Sequence, residues 1–501
     1  MALVKTLAVF LSLLVTVLGC ELTSSQAEVT AREALATLIT QKKSQSTNTR
    51  YRLLYHVAPP IGWMNDPNGF SYFQDKYHLF YQFNPNAVAP GTIHWGHVVS
   101  TDLVVWTQQP TALLPGTEQC FSGSAIDKEG TMILMYTAHE NLEGQTPDHR
   151  ENQYLAFSND GIVFNKYVKN PVISERPDNA VEFRDPKVWK HGDYYYVIIG
   201  SQSPQNRGRV LLYRSSDMGN WEYMNVLAES DGTEGYMWEC PDFFELDGKF
   251  VLLMSPQGIT ADGDRFNNVH QTGYIIGSFD YATGQFTREG AFQEIDFGTD
   301  FYASQTMEKN GKRYLIAWMG DWDNTSPPEV PDGWAGAMTI VRELSLHNNV
   351  LILSKPVEGI TSLRNDPAVH TGVLAPEGSI STLTKTGELI VTSDWSQDVK
   401  LEFQGSEDSA TTIVTVEYDL ANTKVKVTRG TTIRQRTWTP VSETNRSWRI
   451  FLDASTIEVF CGEGEMVFSS RVYPSGNWVV VNKSAQDVDI TAYTLKRSVP
   501  E

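Results

Sequence analysis

Cysteine is nearly missing from this chain, with four in 501 residues, one of them Cys20 at the end of an apolar leader. The other three, Cys120, Cys240 and Cys461, exclude a disulfide framework and leave room for one bridge at most. None has a CxxC or His-spaced neighbour, which argues against structural zinc. Positive charge is short too. Lys and Arg number 40 against 60 Asp and Glu, a formal net charge of −20. Nucleic acid and anionic membrane both require a basic face, so neither is an expected partner. Beyond the leader no apolar run is long enough to cross a bilayer. Charged residues make up 20 % and hydrophobic ones 41 %, which excludes wholesale disorder and permits sizeable cores.

The leader has a short positive start at Lys5 and an apolar stretch from Thr6 to Leu18. Residues 1–20 therefore read as a cleaved secretory signal. Val17-Leu18-Gly19-Cys20 also loosely resembles a bacterial lipobox, which would tether the chain through Cys20. Sequons at Asn324, Asn445 and Asn482 favour free secretion along a eukaryotic route. Residues 21–50 form a helical lead-in, with good helix formers from Ala27 to Gln41.

What is abundant is aromatic: 11 % of the chain, including 13 Trp and 21 Tyr. Such residues suit strands, and they suit stacking on the apolar faces of sugars. From about residue 50 one unit recurs, a polar turn followed by an aromatic or β-branched strand. Its copies begin at Tyr77, Thr131, Tyr194, Phe250 and Arg313, after the turns Gln74-Asp75-Lys76, Lys128-Glu129-Gly130, His191-Gly192-Asp193, Asp247-Gly248-Lys249 and Asn310-Gly311-Lys312. Five copies at roughly 60-residue spacing predict an all-β fold built on a five-bladed propeller rather than a lone sandwich. The propeller is placed at 51–345 and a connector at 346–367. A β-sandwich follows at 368–501, where short strands recur.

The repeat also predicts a site. Asp66, Ser122, Asp185, Glu239 and Asp300 stand 9 to 13 residues before those strands, so equivalent positions in the blades should ring the channel. Arg184 beside Asp185 would keep that carboxyl ionised. Glu239, between Trp238 and Cys240, has neighbours that disfavour a charge, as a general acid requires. One ionised and one protonated carboxyl are the equipment of glycoside chemistry. His94 and His97 are read as hydrogen-bonding residues, not a metal pair.

The segments Trp63-Met64-Asn65-Asp66-Pro67-Asn68-Gly69, Tyr81-Gln82-Phe83-Asn84-Pro85, Phe121-Ser122-Gly123-Ser124-Ala125, Arg184-Asp185-Pro186, Trp238-Glu239-Cys240-Pro241-Asp242 and Asp300-Phe301-Tyr302-Ala303-Ser304-Gln305 together resemble glycoside hydrolase family 32, the β-fructofuranosidases. His94-Trp95-Gly96-His97, Trp318-Met319-Gly320-Asp321-Trp322 and a C-terminal stretch around Arg449 to Phe460 extend the likeness. The resemblance implies a propeller followed by a sandwich. It makes Asp66 the nucleophile, Glu239 the general acid/base and Asp185 the stabiliser of the transition state. Asn65, Gln82, Trp95, Phe121, Ser122 and Arg184 would line the fructose pocket, with Trp95 and Phe121 as stacking surface and wall. Cys240 would tune Glu239. No metal or cofactor is implied. The substrate would be a small sugar with sucrose leading. Inulin, levan, transfer to a sugar acceptor, and a non-catalytic sugar-binding member remain open alternatives. Activity should be bell-shaped in pH and centred on the acid side of neutrality.

Overall fold

A computed structural model of the chain describes residues 26–45, 49–324, 326–442, 444 and 446–499. The leader, and with it the signal and Cys20 readings, lies outside them, as does Asn445. The lead-in forms the helix Gln26–Gln45, with Glu28 in its first turn and Lys42 and Lys43 in its last, as the helix dipole favours. Arg32 fixes it to the propeller by donating to the carbonyls of Thr111, Ala112 and Phe164 at 2.6–2.8 Å.

Five antiparallel sheets of at least four strands follow in chain order. Their first strands are Gly62–Phe73, Gln119–Lys128, Phe183–His191, Met237–Leu246 and Tyr302–Lys309. These strands are neighbours of one another and form the inner wall of the propeller. The ring is closed by a short strand, Trp334–Ala335, that pairs in parallel with Gly62 and Trp63 at the start of blade one. Each first strand returns through a two-residue hairpin at the turn expected from the repeat: Gln74-Asp75, Glu129-Gly130, Gly192-Asp193, Asp247-Gly248 and Asn310-Gly311. In four of the five, both turn residues have positive φ, which matches the twist of the flanking strands and explains the Asn, Asp and Gly found there.

The inner strands are stitched by side chains. Gln305 of blade five accepts from Phe70 N at 2.7 Å and donates to Gly123 O at 3.0 Å, joining blades one, two and five. Ser124 of blade two donates to Pro186 O at 2.7 Å, and Lys187 of blade three pairs with Asp242 of blade four at 2.9 Å.

Blade five runs further than expected. Leu351–Pro356 is its outer strand, paired with Arg342–His347, so part of the 346–367 segment read as connector belongs to the propeller. The C-terminal region is a sandwich of two six-stranded sheets. Along Val399–Gly405 burial alternates, with Val399, Leu401 and Phe403 facing a shared core that holds Trp448 and Trp478.

A buried charge network joins the two domains. Asp453 of the sandwich accepts from the backbone N–H groups of Leu54, Tyr55 and His56 and from His56 Nδ1, while His56 Nε2 meets Glu458 at 3.0 Å. Arg342 of blade five bridges Glu458 at 2.7 Å and Asp296 at 2.9 Å. Cys120, Cys240 and Cys461 are all free thiols. Asn482 is fully buried and donates to Leu374 O and Gln486 O, so that sequon is closed to a glycan, whereas Asn324 is exposed.

Candidate active site

All five inner strands break register, four of them at the expected ring residues and the fifth just beyond Asp300. The breaks lie between Met64 and Pro67, Cys120 and Gly123, Glu239 and Asp242, and Tyr302 and Gln305, and opposite Asp185 between Ile198 and Gly200. Bulges re-aim side chains, and they account for Pro67, Pro186 and Pro241, since proline has no N–H to give a ladder. Asp185, Cys240 and Ala303 take left-handed φ values of 65°, 47° and 53°. Such strain costs about 1–3 kcal/mol per residue and collects at functional sites.

The bulges deliver Asp66, Asp185 and Glu239 into one pocket of about 220 Å³, together with Asn65, Gln82, Phe121, Ser122 and Arg184. The volume suits a single sugar ring. Asp66 is held from two sides, by Asn65 Nδ2 on Oδ1 and by Ser122 Oγ on Oδ2, both at 3.0 Å. Asn65 is itself fixed by the indole N–H of Trp63 at 3.0 Å. Burial raises the pKa of Asp66, and the charge of Glu239 adds to that, while the Asn65 and Ser122 bonds work against it. Glu239 lies between a guanidinium and a phenol. Arg184 donates to Oε1 at 2.8 and 3.0 Å, and Tyr302 OH donates to Oε2 at 2.5 Å.

Four expectations need correction. Trp95 is fully buried against Phe80 and Tyr136, with its N–H on the carbonyls of Cys120 and Phe121 at 3.1 Å. It braces the strand behind the pocket and offers no stacking surface. Phe121 does form a wall, with its ring stacked on His139 at 4.1 Å.

Arg184 does not serve its sequence neighbour: it bonds Glu239, Glu151 and Glu182. Burial, joined by the charges of Glu239 and Asp66, pushes Asp185 up to about 8 despite the nearby guanidinium. Its surroundings therefore disfavour the charged form, against the expectation that Arg184 would hold it ionised.

Trp238 and Cys240 do not wrap Glu239. The Trp238 indole turns into the core and donates to Glu234 O at 2.6 Å. Cys240 faces the two aspartates, with Sγ 3.5 Å from Asp66 Oδ2 and 3.7 Å from Asp185 Oδ2, and its N–H donates to Asp185 at 2.9 Å.

Asp300, finally, is not in the ring. Its carboxylate accepts from Arg429 at 2.7 Å and Arg471 N at 3.0 Å, at the junction with the sandwich. Tyr302, two residues on, takes the ring position. Trp322 and Gln119 also line the pocket without having been assigned a part. Both stand in or beside segments that carried the family likeness.

His94 and His97 are hydrogen-bonded, to Thr92 O at 3.2 Å and to His78 at 3.0 Å, and burial holds both well below the usual histidine range. Among the described residues one group, His149, Glu151 and Glu182, has ligand atoms close enough for a metal, but Arg184 already bonds both of its glutamates.

A propeller that gathers three acids from blades one, three and four into a ring-sized pocket defines a carbohydrate-active hydrolase. The sequence model of the glycosyl hydrolases family 32 N-terminal domain matches residues 56–356, and that of the family's C-terminal region matches 359–494; the chain belongs to glycoside hydrolase family 32. It is 39 % identical over 449 residues to a sucrose-6-phosphate hydrolase of Escherichia coli, covering 84 % of this chain and 89 % of that one. It is 37 % identical to a raffinose invertase of the same species, covering 89 % and 94 %. Among solved structures it resembles a family 32 β-fructofuranosidase of Bombyx mori at 50 % identity and a TM-score of 0.90, covering 94 % of this chain and 99 % of that one. A variant of that silkmoth enzyme has been solved in complex with sucrose. The chain is accordingly an enzyme of the β-fructofuranosidase class.

Proposed function

We propose that the chain hydrolyses sucrose to glucose and fructose by double displacement. The observation that carries this is the pairing in one small pocket of Asp66, steadied by Asn65 and Ser122, with Glu239, steadied by Arg184 and Tyr302. Glu239 protonates the glycosidic oxygen as Asp66 attacks C2, giving glucose and a covalent fructosyl ester. Glu239 then takes a proton from water, which attacks C2, releases fructose and restores Asp66, with net retention. Asp185 bonds a fructosyl hydroxyl with one oxygen while the other receives Cys240 N–H.

The pocket also bears on phosphate. Among its described lining residues Arg184 is the single cation, and it is already engaged by Glu239, Glu151 and Glu182. Unphosphorylated sucrose is therefore favoured over sucrose 6-phosphate. The test is kcat/KM on sucrose, sucrose 6-phosphate, inulin and levan, with free fructose and oligosaccharides both quantified. Sucrose should lead and fructose should dominate the products. A preference for the phosphorylated sugar, or oligosaccharides as main products, would overturn this reading. We further propose that the enzyme is secreted, on the strength of its leader; recovery of activity only inside a secretion-competent host cell would refute that.

The pH profile of kcat/KM gives an independent check. Asp66 must be ionised to attack, and because its pKa is raised, the acid limb should lie above the ordinary aspartate range. Ionisation of Asp185, resisted by its burial and by the charges of Glu239 and Asp66, would add a negative charge beside Asp66. Asp185→Asn should therefore flatten the alkaline decline while keeping the acid limb in place. An unchanged alkaline limb would show that another group sets it.

A further inference from the structure

We propose that the enzyme has a second binding site, for a phosphate-bearing anion, in a basic cavity that shares a wall with the substrate pocket. This does not depend on the catalytic reading above. The cavity measures about 600 Å³ against about 220 Å³ for the carboxylate pocket, within the range that encloses a small metabolite. Lys42 and Lys43 reach it from the last turn of the helix, Arg52 from the segment before blade one, and Arg497 from the C-terminal segment. Asp332 is the single acid on its wall, so four cations face one carboxylate in a chain whose net charge is −20. The helix dipole accounts for two lysines in a last turn, but not for two arginines converging on the same space from distant parts of the chain.

The arginines are set close. Arg52 lies 4.8 Å over the Trp334 ring and donates to Pro59 O at 2.7 Å. Burial lowers its pKa to about 10, and the charge of Arg497 contributes to that. An anion placed between the two guanidinium groups would offset their mutual repulsion, and phosphate oxygens suit guanidinium planes. Trp334, 2 % exposed on the same wall, has an indole N–H without a partner. Four cationic side chains and this N–H thus stand against one carboxylate, Asp332, on the lining.

The wall between the two spaces is one segment of blade one. Its Asn86, Ala87 and Val88 face the basic cavity, and its Pro90, Gly91 and Ile93 face the substrate pocket. Lys42 Nζ donates to Pro85 O and Asn86 O at 3.0 and 3.1 Å, so a cavity cation is already tied to that wall. Val88 packs in the same apolar cluster as Trp322, which lines the substrate pocket. Occupancy of the cavity should therefore be felt as a change in KM for sucrose.

The experiment titrates inorganic phosphate, and separately glucose 6-phosphate, into the full chain by calorimetry at low salt. A Lys43→Glu/Arg497→Glu double variant, altered at two exposed positions, is run in parallel. Binding at one site, weakened at least tenfold in the double variant, is expected, with sucrose turnover in phosphate-free buffer unchanged. Saturating ligand should shift the KM for sucrose in the parent and not in the variant. Tighter binding of the sugar phosphate would identify a metabolite site, and equal binding a site for phosphate itself. Absence of binding at millimolar ligand, equal affinity in the double variant, or displacement of the anion by fructose would overturn the proposal, the last by placing the anion on Arg184.

Discussion

Replacing Glu239 by glutamine is expected to lower turnover of sucrose by roughly 10²–10⁴-fold, the usual contribution of general acid–base catalysis. Glutamine keeps one oxygen for the Arg184 guanidinium, which now donates to Oε1 at 2.8 Å, and its NH2 can donate to the Tyr302 oxygen in place of the present bond from Tyr302 OH to Oε2 at 2.5 Å, so the pocket should hold its shape. KM should therefore move little. What is lost is the proton for the departing glucose oxygen. A fructoside with a leaving group too acidic to need that proton should recover the first step in Glu239→Gln. Asp66→Asn has no such remedy. Its amide cannot form the ester, and the loss should persist with every leaving group. The measurement is kcat on sucrose and on an activated fructoside for both variants. If the activated substrate rescues Asp66→Asn, the nucleophile is another group; if Glu239→Gln keeps parental turnover of sucrose, the acid is another group.

The propeller was legible because its signals are local. A two-residue hairpin needs positive φ, so Asn310-Gly311 and Asp247-Gly248 announce their turns whatever surrounds them. The acids were legible for the same reason, since a constant distance from the hairpin fixes a constant place on the inner strand. The regularity failed where direction mattered. Adjacent strand residues point to opposite faces, so Trp238 enters the core while Glu239 enters the pocket, and nearness in sequence misled. Arg184 likewise reaches Glu239 on the next blade, a partner 55 residues away. Asp300 kept the count but lies just outside its strand, where Arg429 of the sandwich claims it. The family likeness put Trp95 in the pocket lining as a stacking surface, and only burial could show that it stands behind the wall. The domain junction was illegible in principle, because His56 and Asp453 are 397 residues apart.

That junction carries the largest expected effect on stability. Arg342 is fully buried with Glu458 and Asp296, and Arg342→Met should destabilise the chain by about 3–5 kcal/mol by leaving Asp296 without a counter-charge and Glu458 with His56 alone. Adding Glu458→Gln and Asp296→Asn should recover part of the loss, since the penalty lies in the unpaired charges rather than in the missing bond. Denaturant unfolding of the three proteins checks both statements. The pH dependence follows from the shifts around the network. Hydrogen bonds to Asp453 and Glu458 raise the pKa of His56 against the opposing effect of its burial. Its contribution is complete below the unfolded histidine value and is lost as pH rises through the folded one. Asp453 and Glu458 are lowered, Asp453 by His56 and backbone donors and Glu458 chiefly by Arg342, in each case against burial. Their contribution is present above the unfolded carboxyl values and is lost as pH falls through the folded ones. Asp296, raised by burial, opposes them, favouring the fold while it keeps its proton and weakening it as pH climbs past its unfolded value. Unfolding midpoints should therefore peak on the acid side of neutrality and fall toward alkaline pH, and His56→Gln should remove most of that alkaline fall. A fall of the same size in His56→Gln would assign it to groups other than His56.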